Sequence, residues 1–254
     1  CQETYQRMLR YVMARWGYSS HIMSWELCSE MDLVSDYQRV RRQIMGWHTR
    51  CAKTIRQFDQ NSHMITTNFA NIKRDPEVLR MPEVMYTGTN YYHAQMGPQM
   101  RNVIFPSRAS MGKPAFMTEA GYDWRGSSAE TTTKYLHLCL WSSYMIPFSG
   151  AATYWWWVFI DDKDLYPMFR PLVEYAAGED MRGRKLRMSQ GVLRRAGGRA
   201  LPGLVADVLQ NSRSAYVWVY ERGLMRLDAE GPFTPKPRSG VTLEISGLAR
   251  GDYR

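Results

Sequence analysis

The sequence predicts an α/β fold, and three observations carry that reading. Short apolar runs at Ile22 to Leu27, His63 to Phe69, Val84 to Asn90, Ala115 to Glu119 and Ala151 to Trp157 have the length and composition of strands. Helical apolar spacing fills the stretches between them, so strand and helix alternate as in parallel β/α units. Beyond Arg182 the pattern changes to β-branched and aromatic runs separated by Gly, Pro, Asn and Ser, as in a small antiparallel sheet. The five runs occupy about 178 residues, whereas a (β/α)8 TIM barrel takes about 250. No strand precedes the first helix. The expected architecture is therefore a partial (β/α)8 barrel, strands four to eight, followed by a small antiparallel β domain.

Each element has its own local reason. Tyr5, Met8, Leu9, Val12, Met13 and Trp16 recur at helical spacing, with Gly17 placed to cap the C-terminus. Tyr37, Val40, Ile44, Trp47, Cys51, Ile55 and Phe58 trace one face of a long helix. A Pro-interrupted helical region covers Met96 to Ser107, and Ser128 suits the N-cap of a helix carrying Tyr135, Leu138 and Trp141. Phe169 to Ala177 reads as a last helix closed by Gly178. Leu204 to Gln210, Ala215 to Glu221, Leu224 to Leu227 and Val241 to Ile245 read as strands of the C-terminal part, and Gly251 to Arg254 as the start of another.

The expected division is a barrel portion over 1–180, a basic Gly-rich linker over 181–202, and a truncated β-sandwich-like module over 203–254. A parallel sheet with two open edges is a template for aggregation. As a piece that starts after the third barrel strand, the sequence is expected to be poorly soluble and inactive by itself.

Composition narrows the function classes. Apolar residues make up 44% of the 254 and aromatics 13%, enough for a packed core. The net charge of +9 suggests an acidic polymer as partner. However, Arg182, Arg184, Lys185, Arg187, Arg194, Arg195 and Arg199 fall together in the connecting stretch, and no nucleic-acid motif accompanies them. A solvated linker is the reading, and no nucleic-acid partner is expected. The four cysteines, Cys1, Cys28, Cys51 and Cys139, show neither C-x-x-C pairing nor a regular framework. Cys28 and Cys139 read as small packing residues. No cofactor, metal centre or membrane span is expected, and the oligomeric state is left open. Nine Trp and sixteen Tyr suit a carbohydrate site, where aromatic faces meet sugar rings.

The chemistry rests on two acids. Ile22-Met23-Ser24-Trp25-Glu26-Leu27-Cys28-Ser29-Glu30 and Pro114-Ala115-Phe116-Met117-Thr118-Glu119 are apolar runs that each end in a carboxylate. A barrel keeps its catalytic groups at the C-terminal tips of its strands. One carboxyl held protonated and one ionised carboxylate, on different strands, are the equipment of glycoside hydrolysis. Either could instead be an ordinary surface Glu, but the paired context favours catalysis.

Arg15-Trp16-Gly17-Tyr18-Ser19 with Trp25-Glu26-Leu27-Cys28-Ser29-Glu30 resembles the fourth-strand region of clan A retaining glycoside hydrolases. The likeness is greatest to the cellulases and mannanases of family five, whose strand ends in Trp-Glu-Leu-x-Asn-Glu. Thr118-Glu119-Ala120-Gly121 resembles their seventh-strand motif. The likeness covers residues 1 to about 178 and implies Glu30 as general acid/base, Glu119 as nucleophile and a carbohydrate substrate. It implies a secreted or periplasmic setting if the intact protein degrades polysaccharide. Ser29 departs from the family, whose Asn at that place contacts the sugar 2-hydroxyl. This departure opens an alternative, a non-catalytic carbohydrate-binding relative. Thr89-Asn90-Tyr91-Tyr92-His93 matches a sixth-strand His/Tyr cluster in which a Tyr supports the nucleophile, and Tyr91 is chosen by position. By strand alternation Trp155 and Trp157 share a face opposite Trp156, and resemblance to the family's eighth strand implies that one Trp floors the subsite holding the cleaved sugar. Trp124 is a further platform candidate.

Overall fold

The first apolar stripe becomes helix α1 (Gln2–Trp16), which buries Leu9 and Met13 and ends where the Gly17 amide bonds Met13 O at 2.9 Å. These features belong to a computed structural model that describes residues 2–72, 75–225 and 237–253. The chain divides into two compact units, Cys1–Tyr91 with Pro106–Thr118, and Tyr92–Phe105 with Glu119–Arg254.

In the first unit, α2 (Tyr37–Phe58) spans the expected residues and turns Ile44, His48, Cys51, Ala52 and Ile55 inward. That spacing keeps one stripe of a 3.6-residue helix apolar. Leu9, Met13, Leu27, Cys51, Ala52, Ile55 and Ile65 form one core cluster. Strand β1 (Ser24–Glu26) pairs in parallel with β2 (Met64–Thr66), Trp25 opposite Ile65. Bonds from Leu27 N to Thr66 O (2.9 Å), Asn68 N to Cys28 O (3.3 Å) and Met31 N to Asn68 O (3.1 Å) prolong the pairing. After the short helix α3 (Pro76–Arg80), Lys113 Nζ donates to the carbonyls of Leu79, Met81 and Val84. The ammonium thereby satisfies the open end of that helix.

Strand β3 (Thr87–Tyr92) pairs with β4 (Ala115–Gly121); β3 starts and ends later than the run expected over Val84 to Asn90, and β4 runs on past Glu119 to Gly121. Between them lie α4 (Met96–Gln99), a π-helical turn (Met100–Ile104) and α5 (Phe105–Ala109). The expected Pro interruption is met by that widened turn. Pro106 has no amide to donate, so the regular ladder cannot pass through it.

In the second unit, α6 (Ala129–Tyr144) begins at Ser128, whose Oγ accepts from the Thr131 amide at 3.2 Å. The strand expected over Ala151 to Trp157 is reduced to one bridge, Ala120 with Tyr154. Only Ala120 N to Thr153 O (2.9 Å) and Trp155 N to Ala120 O (3.0 Å) form the ladder, because Trp157 already opens α7 (Trp157–Asp162). A 3₁₀ turn at Tyr166–Phe169 leads into α8 (Arg170–Ala176), and Gly178 follows at φ +79°.

The C-terminal antiparallel sheet runs in the order β7-β6-β5-β8. Its strands are β5 (Arg187–Arg195), β6 (Leu204–Gln210), β7 (Ala215–Glu221) and β8 (Val241–Glu244). Strand β5 lies inside the stretch read as a linker. High charge density hid an alternation in which Leu193 is buried and Arg194 pairs with Glu244 at 2.8 Å. The strand expected over Leu224 to Leu227 is instead a 3₁₀ turn through Met225; the remainder lies outside the described residues. Gly251 to Tyr253 form no strand. The sheet shares a core with α6: Trp218 stacks on Trp141 (centroids 6.3 Å) and on Tyr220 (4.2 Å). Asp207 meets Arg101 at 2.8 Å and accepts from the Tyr220 hydroxyl at 3.1 Å. Burial of that ion pair is tolerated because Arg101 and Tyr220 meet Oδ2 while Oδ1 accepts from Gln190 Nε2 at 3.4 Å.

Candidate active site

Glu30 lies in the first unit, four residues beyond β1, at φ 50°, ψ 50°. A left-handed backbone costs a residue with a Cβ about 1–2 kcal/mol and needs partners to hold it. Asn68 supplies them. Its Oδ1 accepts from the Glu30 amide at 2.6 Å, while its own carbonyl accepts from Met31. The Glu30 carboxylate faces Asn90, whose Nδ2 lies 3.4 Å from Oε1 and 3.3 Å from Ser29 Oγ. Asn68, Asn90 and Thr89 are fully buried, whereas Ser29 is exposed and Glu30 half-buried. Thr118 Oγ1 donates to Asn90 Oδ1 at 2.8 Å, and Asn68 Nδ2 donates to Glu26.

Glu119 lies in the second unit, in β4, half-buried, and its Oε2 accepts a hydrogen bond from the Tyr92 hydroxyl. The residue chosen by position, Tyr91, is the preceding one in the strand. Consecutive strand residues point to opposite faces, so two adjacent tyrosines cannot present their rings alike. Position in the motif left that parity open. The close fit extends to Gly121, where a Cβ would stand 3.2 Å from Tyr92 Cδ1.

The tryptophans sort as alternation suggested, with Trp155 and Trp157 exposed and Trp156 half-buried, although the strand itself is not formed at Trp157. Trp156 is half-buried and its Nε1 donates to Asp123 O at 3.1 Å, fastening the loop that follows Glu119. Trp155 is 39% and Trp157 66% exposed, the latter as the first residue of α7, where alternation no longer applies. Trp124 is 61% exposed, with the Arg125 guanidinium over its ring at 5.6 Å. Asp123 accepts from the Arg125 amide and guanidinium, which hold its carboxyl below the usual range.

Asn68, Asn90, Thr118 and Tyr92 escaped the sequence reading as site residues. A usable signal was there: Thr66-Thr67-Asn68 and Thr89-Asn90 interrupt apolar runs, and buried polar side chains require partners. Among the described residues no group of three or more His, Cys, Asp or Glu is placed to hold a metal ion. No described helix is long and apolar enough to cross a membrane.

No family model matches the chain, and no curated protein sequence does. Solved structures do resemble it. A glucosidase from Croceicoccus marinus superposes with a TM-score of 0.52 at 9% identity, over 83% of this chain and 54% of its own. An endo-beta-1,4-mannanase from Thermotoga petrophila gives 0.47 at 14%, over 82% and 57%. A β-glucuronidase from Ruminococcus gnavus gives 0.47 at 15%, over 61% and 29%. The chain thus spans between 29% and 57% of the length of these proteins. At such identity the likeness to the first concerns fold alone, and over most of its length this chain has the fold of that glucosidase.

Proposed function

We propose that this chain is the strand-four-to-eight part of a (β/α)8 barrel, that its C-terminal sheet is an appended module, and that it serves a retaining hydrolase of β-glycosidic bonds in polysaccharides or oligosaccharides. Glu119 attacks the anomeric carbon while Glu30 gives its proton to the departing oxygen, leaving a glycosyl ester on Glu119. Glu30 then takes a proton from water as that water attacks the same carbon and releases Glu119. The two carboxyl groups of such a pair stand about 5–5.5 Å apart.

One observation carries the reading. Each acid has a side-chain donor within its own unit, Asn90 for Glu30 in the first and Tyr92 for Glu119 in the second. A carboxylate with a dedicated donor from a neighbouring strand is unlike a surface Glu free to rotate in solvent. Trp124, Trp155 and Trp157 are the exposed aromatic faces on which sugar rings would rest. Ser29 favours a second reading, a carbohydrate-binding relative without turnover, because the amide that relatives present there is missing.

Aryl β-glycosides of glucose, mannose and glucuronic acid test both readings. Completed by three upstream β/α units, the wild-type chain should hydrolyse at least one with the β-anomer as first product by NMR. Glu119→Gln and Glu30→Gln should each lose several orders of magnitude in turnover. Azide should give an α-glycosyl azide with Glu119→Ala and a β-glycosyl azide with Glu30→Ala. Near wild-type rates in either Gln variant remove that residue from the mechanism, and glycan binding without hydrolysis by wild type selects the second reading.

A further inference from the structure

We infer that Asn68 is a positioning residue for Glu30, anchored by the carboxylate of Glu26; the inference rests on the hydrolase reading and deepens it. The observations come from one side-chain cluster. Asn68 is fully buried just past β2, and its amide orientation is fixed at both ends. Oδ1 must face the Glu30 amide, an obligate donor 2.6 Å away, and Nδ2 must face the carboxylate of Glu26, which only accepts. The opposite orientation would place a donor on a donor and an oxygen on a carboxylate.

That orientation propagates. Asn68 Nδ2 also lies 3.2 Å from Asn90 Oδ1, and Thr118 Oγ1 donates to the same oxygen at 2.8 Å. With Oδ1 thus turned inward, Asn90 must present Nδ2 to Ser29 Oγ and Glu30 Oε1. The fixed charge of Glu26 therefore sets, through two buried amides, which group meets the carboxylate of Glu30. Asn68 also holds the left-handed backbone of Glu30 directly. The fold leaves room for this: at Gly88 a Cβ would stand 3.0 Å from Thr118 Cγ2 and 3.2 Å from Asn68 Cβ.

The role predicts a polarity swap. In Asn68→Asp one oxygen can still accept from the Glu30 amide, but the other confronts Glu26 with no proton between them. Glu26→Gln added to Asn68→Asp restores a donor opposite an acceptor.

The test uses the chain completed by the three upstream β/α units of the proposed barrel, with 4-methylumbelliferyl and 2,4-dinitrophenyl β-glycosides of the sugar it accepts. The first leaving group needs protonation and the second does not. Asn68→Asp should lower kcat/KM by about 10²-fold for the first and less than about threefold for the second, the scale expected of a misplaced catalytic group. Azide should accelerate its turnover of the dinitrophenyl substrate, and the double variant should recover most of the loss. Equal losses on both substrates, or no recovery in the double variant, would reduce Asn68 to a structural residue. If wild type hydrolyses neither substrate, the hydrolase reading fails, and the hub is then read by NMR. The Glu30 amide proton should exchange slowly in wild type and at least tenfold faster in Asn68→Ser. An unprotected Glu30 amide in wild type overturns the hub as well.

Discussion

Tyr92→Phe is the sharpest test of the nucleophile's surroundings. The substitution removes one oxygen and leaves the ring, which already lies so close to Gly121 that a Cβ there would stand 3.2 Å from Cδ1. The packing should therefore survive, and the loss should be that of the hydroxyl donated to Glu119. A hydrogen bond to a charged group is worth about 1.5–3 kcal/mol. If it holds and orients the attacking carboxylate in the transition state, kcat/KM falls by about 10- to 150-fold. Stopped-flow release of dinitrophenol from an aryl β-glycoside isolates formation of the glycosyl-enzyme, and thermal unfolding followed by circular dichroism checks the fold. Tyr91→Phe is the control and should stay within about threefold, a change of under 1 kcal/mol. A Tyr92→Phe variant within twofold of wild type, or a large effect confined to Tyr91→Phe, would refute the assignment and restore the choice made from the motif.

Other outcomes are expected elsewhere in the molecule. Gly88→Ala places a Cβ against Thr118 and Asn68, and should lower stability by about 1–3 kcal/mol through overpacking while reducing kcat/KM; a urea titration with parallel kinetics reads both. Trp218→Ala should cost about 3–5 kcal/mol, because the indole is buried between Trp141 and Tyr220, and calorimetry should show the transition shifted down. His48 is fully buried with Nδ1 on the Ile44 carbonyl at 2.9 Å, and burial pushes its pKa below the ordinary 6.5; burial does the same to His137. The unfolded chain therefore takes up these protons at a higher pH than the folded one, so stability is lost as pH falls below about 6.5. The melting temperature of wild type should drop between about pH 7 and 5, and His48→Gln should flatten that slope. An unchanged slope would show that His48 does not titrate on unfolding in this window.

Much of the framework was legible because it is local. The α1 and α2 stripes, the Ser128 cap and strands β6 and β7 follow from periodicity and capping chemistry that act within a few residues. The acids Glu30 and Glu119 were likewise readable as carboxylates that close apolar runs. Reading failed where a tertiary partner decided the conformation. Charges along Arg187–Arg195 look like a solvated connector until β6 and β8 satisfy the backbone on both sides. Tyr154 to Trp157 reads as a strand until Trp156 turns toward Asp123 and Trp157 starts a helix. Sequence composition suggested residue types for a candidate site, but their partners are set by side-chain hydrogen bonds between residues 22 to 60 positions apart. Which tyrosine reaches Glu119, and which amides hold Glu30, depends on strand parity and on the matching of donors to acceptors across three strands. Those are properties of the folded chain, since no local pattern encodes the identity of a distant partner.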